Sequence, residues 1–188
     1  MNEHAPPPRR PATYRDVLDA PPNMVAELIG GALYLHPRPA PPHARAGSRL
    51  GGELYPFDLG RGGPGGWVIL DEPELHLGPD VLVPDLAGWR RERMPALPDT
   101  AWFETPPDWV CEILSPGSRR LDLTEKRGLY AARGVPFLWL VDPAARTLEA
   151  FALEGGAWLL VAALKDDDEV RVLPFEAVAF PLAALWAD

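Results

Sequence analysis

The sequence predicts an α/β (α+β) domain, and three features carry that assignment. Between Trp109 and Leu140 an apolar run, an amphipathic helix and a second apolar run follow one another, the pattern of a parallel crossover unit. On either side of it, strand pairs meet at Gly30-Gly31 and Gly155-Gly156, a signal of antiparallel hairpins. Hydrophobic residues make up 47% of the 188, enough for a core, and no apolar run approaches the length of a membrane span.

The elements follow in order. Residues 1–12 are Pro-rich and charged and read as a disordered tail; residues 13–188 read as a single domain without internal repeats. Thr13 followed by Asp16 resembles a helix start, and Pro21-Pro22 ends that helix early. Met24 to Leu35 reads as two strands, Pro37 to Pro42 as a loop, and His43 to Tyr55 as a helix weakened by Gly51-Gly52. Gly60 to Gly66 is a loop; no Gly-Lys-Ser/Thr follows, so it is not a phosphate cradle. Strands are expected at Trp67–Leu70, Glu74–Leu77 and Val81–Trp89, with Pro84 implying an edge, a bulge or a kink in the third.

A polar connection over residues 90–107 leads to a buried strand, Trp109–Leu114, and the turn Ser115-Pro116-Gly117. Asp122 is expected to cap the next helix, with Glu125 in capping-box position, and Gly134 to stop it. Phe137–Val141 is the strand that completes the crossover. Thr147–Leu153 and Ala157–Leu164 form a hairpin, Lys165–Glu169 an acidic loop, and Phe175 to Trp186 a short strand and short helix closing the core.

Composition narrows the chemistry. Residues 1–11 lack the apolar core of a signal peptide, so a cytoplasmic location is the default expectation, with no membrane partner. Cys111 is the only cysteine, which excludes an intrachain disulfide and a cysteine zinc cage; the four histidines show no ligand spacing. A net charge of −9 argues against a general DNA-coating protein. It leaves room for local basic surface, at Arg90, Arg91 and Arg93 or at Arg119, Arg120, Lys126 and Arg127, although such clusters are also ordinary solvated arginines.

Two carboxylates stand out. Asp85 ends the run Val81-Leu82-Val83-Pro84, and Glu112 lies within Trp109-Val110-Cys111-Glu112-Ile113-Leu114. A buried charge requires a cationic partner, a bound metal or a proton. Two such strands side by side would form a small site for Mg²⁺ (or Mn²⁺), which takes hard oxygen ligands and makes a bound water nucleophilic. Lys126 is the third residue of interest. At 100° per residue it falls on the apolar arc of Leu123, Leu129 and Tyr130, pointing toward the sheet. It either snorkels to the rim along its aliphatic stem or joins the carboxylates, where it could orient water or stabilise charge on a phosphate.

Pro84-Asp85 and, 27 positions on, Glu112-Ile113-Leu114 resemble the PD-(D/E)XK nuclease pattern. The resemblance extends through Val25-Ala26-Glu27-Leu28-Ile29-Gly30-Gly31, His43, Ser115-Pro116, Arg119, Asp122 to Lys126, Tyr130, Gly134-Val135-Pro136 and Trp139 to Pro143. In this it is similar to a bacterial restriction endonuclease family formerly called a domain of unknown function, from roughly Thr13 to Trp186; Glu112 to Pro143 is the specific part. The family implies a restriction-endonuclease-like mixed central sheet flanked by helices. It implies Asp85 and Glu112 as metal ligands, the Ile113 carbonyl as a further one, and Lys126 as the catalytic lysine. The superfamily places lysine two residues after the second acid, where this chain has Leu114. Glu27 and His43 match family positions: Glu27 as an extra acid on the metal side, His43 as a substrate or metal contact, or as a structural residue.

The leading expectation is a Mg²⁺-dependent DNA endonuclease, acting as a homodimer because cutting both strands needs two sites. The alternative is a catalytically inactive nuclease-fold protein with a binding or assembly role. A glycosidase with two carboxylates would need Asp85 and Glu112 to face one another across a sugar-sized cleft, and no stacking aromatic pattern supports it.

Overall fold

A computed structural model describes residues 10–58 and 62–186. Most of the expected N-terminal tail and residues 60 and 61 of the glycine loop lie outside these described residues. The elements are α1 (Tyr14–Leu18), β1 (Met24–Ile29), β2 (Ala32–Pro37), α2 (Pro41–Asp58), β3 (Trp67–Asp71), β4 (Leu75–Leu77), β5 (Asp80–Leu82), β6 (Leu86–Arg90) and β7 (Trp109–Ile113). The crossover follows as α3 (Arg119–Leu121), a π-helical turn (Asp122–Lys126) and α4 (Arg127–Ala132). Then come β8 (Phe137–Asp142), β9 (Thr147–Glu154), β10 (Ala157–Lys165), β11 (Glu169–Val170), β12 (Phe180–Pro181) and a 3₁₀ turn at Leu182–Leu185.

Among the described residues the main sheet has six strands in the order β10-β9-β8-β7-β6-β3. It is mixed: β7 and β8 run parallel, and the other neighbours antiparallel. The alternation of a strand sends Trp109, Cys111 and Ile113 of β7 to one face, with α2 and the C-terminal segment. Val110 goes to the other face with Tyr130 and Leu121, and Glu112 follows the same parity. The strand register therefore delivers the one acid of β7 to the crossover helix.

A second sheet, in the order β2-β1-β5-β4, stands beside the first. This corrects the expectation of one strand over Val81–Trp89. The chain leaves the second sheet after Leu82 and enters the main sheet at Leu86, and Val83-Pro84-Asp85 is the link between them. Pro84 has no N–H to give a ladder, so pairing breaks there and the strand changes sheets.

Two other expectations are revised. The helix placed at His43–Tyr55 spans Pro41–Asp58, because proline is tolerated in a first turn whose N–H groups have no helical partner. A methyl on Gly47 would meet Ile113 Cδ1 at 3.3 Å, so this residue lets α2 lie close over β7 and brings His43, one turn earlier, to the end of the sheet. The crossover helix begins at Arg119, not at an Asp122 cap. Ser115 starts it: its carbonyl accepts the Arg119 N–H at 2.9 Å and its Oγ the Ser118 N–H at 3.2 Å. Asp122 lies inside the helix and is buried.

Phe175 anchors the core beneath α2. Its ring lies 4.9 Å from that of Phe57, 4.8 Å from Trp67, 4.9 Å from Trp109 and 5.6 Å from Trp139. We expect Phe175→Ala to lower unfolding free energy by about 3–5 kcal/mol, read as a lower midpoint in urea at an unchanged slope.

Candidate functional site

The two sheets and the crossover helix enclose a cleft of about 240 Å³, lined by Glu27, His36, His43, Asp85, Glu112, Asp122 and Lys126 among others. They arrive from six places in the chain: Glu27 from β1, His36 from β2, His43 from the first turn of α2, Asp85 from the inter-sheet link, Glu112 from β7, and Asp122 and Lys126 from the π turn. Every residue singled out in the sequence, including Glu27 and His43, lies on the cleft, with Ile113 beside it.

The floor is a knot around Lys126. Its Nζ lies 2.8 Å from Glu112 Oε1, 3.0 Å from Glu27 Oε1 and 3.7 Å from Asp122 Oδ1, and donates to the Val83 carbonyl at 3.3 Å. Glu27, Glu112, Asp122 and Lys126 are all at most 3% exposed. The lysine does not snorkel. Glu112 Oε1 also accepts the Tyr130 O–H at 2.6 Å, and Glu27 Oε1 accepts the Val83 N–H at 2.8 Å. His36 Nε2 is 3.4 Å from Glu27 Oε2, but without hydrogen-bond geometry, so the contact is electrostatic at most.

Asp85 stands apart from this knot, nearer the opening, with its side chain 20% exposed. Its Oδ2 accepts the Ile113 N–H at 2.6 Å, and its Oδ1 lies 3.2 Å from His43 Nε2. His43 also hydrogen-bonds the Ile113 backbone, at its carbonyl.

Charge explains the protonation of these groups. Three carboxylates face one lysine. Burial alone would push Lys126 down, but Glu112 and Glu27 outweigh it and hold it well above the ordinary lysine value, so it stays protonated. Burial pushes Glu112 well above the usual carboxylate range; Lys126 opposes this, and the neighbouring acids reinforce it. Asp122 is raised for the same reason, burial first. Burial would raise Glu27 too, but Lys126, His36 and the Val83 N–H together hold it below the ordinary value. Burial would depress His43, yet the hydrogen bond and charge of Asp85 raise it.

No group of three or more His, Cys, Asp and Glu side chains among the described residues is spaced to hold a metal ion. The donors present are carboxylate oxygens with negative charge in excess. That set suits an ion that uses one or two carboxylates and keeps several waters, as Mg²⁺ does. Asp85 and Glu112 could supply those oxygens, and the Ile113 carbonyl lies beside Asp85.

Three site residues escaped the sequence reading. Asp122 carried the signature of a cap, His36 lacked ligand spacing, and Tyr130 read as a core residue although its O–H binds Glu112. The signal for Asp122 and Tyr130 was their spacing from Lys126, four residues on either side.

The model of the Uma2 family, described as putative restriction endonuclease, matches residues 11–183, and the chain belongs to this family. A crystal structure of a putative nuclease of the DUF820 family from Anabaena variabilis is similar over 94% of this chain and 98% of that one. Its TM-score is 0.72 and its identity 22%, a likeness of fold. A search of curated proteins returns no match.

Two outcomes are expected at this site. Lys126→Met leaves the buried carboxylates without their cation. It should destabilise the protein by about 3–5 kcal/mol at neutral pH and by less in acid. Groups with a raised folded pKa favour the fold below their unfolded pKa and lose that contribution as pH rises through the folded one; urea melts at two pH values measure this. Asp85→Asn should lower the His43 pKa, because burial is then opposed only by the Ile113 carbonyl and the charge of Asp122; a proton NMR titration of the imidazole reads the change.

Proposed function

From membership of the Uma2 family, we propose that the chain hydrolyses phosphodiester bonds of DNA at this cleft with a divalent cation, Mg²⁺ or Mn²⁺. The observation that carries the reading is the buried excess of carboxylates around a lysine that remains charged. Asp85 and Glu112 would hold the ion, with the Ile113 carbonyl as a further donor. When bound, the ion acidifies water and polarises the phosphate.

The chain's own groups set the rest. Lys126 keeps its proton, so it serves as a fixed positive charge for the negative charge that builds on the phosphate, not as a base. Tyr130 and Lys126 both bind Glu112 Oε1, so the carboxylate is held by that oxygen and its second oxygen would be the one offered to an ion. The Ile113 N–H holds Asp85 by one oxygen in the same way. Glu27 fixes Lys126 from the opposite sheet and acts on the reaction through it.

The expected result is divalent-dependent cleavage of DNA that stops on chelation and falls about 10²–10³-fold in Asp85→Ala and Lys126→Ala. Nicking and end-labelled assays on varied substrates would measure it. Equal cleavage by wild type and both variants would assign the activity to a contaminant and withdraw the proposal.

A further inference from the structure

The cleft's dimensions and walls bear on which form of DNA can reach its floor. Glu112 and Lys126 are each 2% exposed. A phosphate must therefore descend past Asp85 and His43, whose side chains are 20% and 12% exposed. The space is about 240 Å³, below the roughly 300–1,000 Å³ of ordinary small-molecule sites. One lip is the loop after β2, with Pro37 and Pro39; the other is the turn carrying Pro116 and Gly117.

An intact duplex is a stiff body held by many phosphate contacts along a basic surface. This chain has a net charge of −9, and acids line its cleft. A single strand needs less. Its bases can be splayed and stacked on flat side chains, and its backbone can bend into a narrow site. Two flat groups are present, the imidazoles of His36 and His43, and three saturated proline rings add apolar wall. Arg38 and Arg119 adjoin the lining residues Pro37 and Ser118 in the chain; their side chains are 60% and 52% exposed, and each is held by one carboxylate, Glu72 and Asp142.

We propose that the cleft admits a single DNA strand, one nucleotide at a time, and excludes an intact duplex. This rests on the nuclease reading for its chemistry. It is tested by binding, with Glu112→Gln in the full chain to suppress cutting. Fluorescence anisotropy in Mg²⁺ compares a labelled oligothymidylate with a hairpin duplex of matched length. The single strand should bind tighter by about tenfold or more.

Two plugs then test the place. A Cβ on Gly117 would meet only Ser115 Oγ, at 3.9 Å, so a side chain can start there without a clash, and Gly117→Trp is the first plug. Ala40, exposed on the opposite lip, takes the same change. Either plug should weaken single-strand binding about tenfold or more, the loss of roughly one stacked base, with the melting temperature unchanged. Duplex binding as tight as single-strand binding would overturn the proposal. So would unaltered single-strand affinity in both folded plug variants. Wild-type cleavage of duplex and single strand at equal rates would overturn it too and leave the nuclease reading standing. Strand-selective binding without any divalent-dependent cleavage would withdraw the nuclease reading and keep the single-strand site.

Discussion

One buried ammonium group organises this molecule. Lys126 Nζ lies between Glu112 of the main sheet and Glu27 of the second sheet, with Asp122 of its own helix at 3.7 Å. Removing a lysine and three carboxylates from water is expensive, and their mutual attraction repays it only with close geometry and further hydrogen bonds. The Tyr130 O–H and the Val83 N–H supply those bonds. The result is a joint between three elements that share little other contact at this point. Asp80 and Arg133 form a second joint nearby, at 3.2 Å, where the crossover helix ends against the second sheet.

The same joint leaves negative charge uncompensated. A core that sought only stability would place apolar side chains here. Instead the excess is concentrated at the foot of an open cleft, and it raises Glu112 and Asp122 while Lys126 keeps its proton. Residues with strongly perturbed protonation in a cleft are the usual mark of a working site. The π turn over Asp122–Lys126 fits that picture, since such turns gather at functional positions. Here the turn aligns Asp122, Lys126 and Tyr130, four residues apart, on the buried side of the helix.

Backbone devices bring the second half of the site into place. Pro84 cannot continue a ladder, so the chain turns from one sheet into the other and presents Asp85 to the Ile113 N–H. Gly47 allows α2 to settle close over Ile113, and His43 comes to lie against Asp85. The second sheet and the loop after β2 narrow the cleft from one side, and the Ser115–Ser118 turn narrows it from the other.

Much of this was written in the chain itself. The strand–helix–strand period, the Gly-Gly hairpins, the lone acids in apolar runs and the lysine on an apolar arc are local patterns, because side-chain direction follows backbone period in strands and helices. The sequence alone therefore determined the mixed α/β character, the candidates Asp85, Glu112 and Lys126, and the inward face of the crossover helix that carries Lys126. Tertiary structure decided which charges meet. Asp122 reads locally as a cap, because its type and its spacing from Glu125 fit one; only the earlier start at Ser115 turns it inward. Glu27 and His36 join the site because a second sheet folds over the helix, and the division of Val81–Trp89 between two sheets depends on strands distant in the chain. Pairing between remote strands and the sharing of one cation by several acids are set by packing in space, and no local period encodes them.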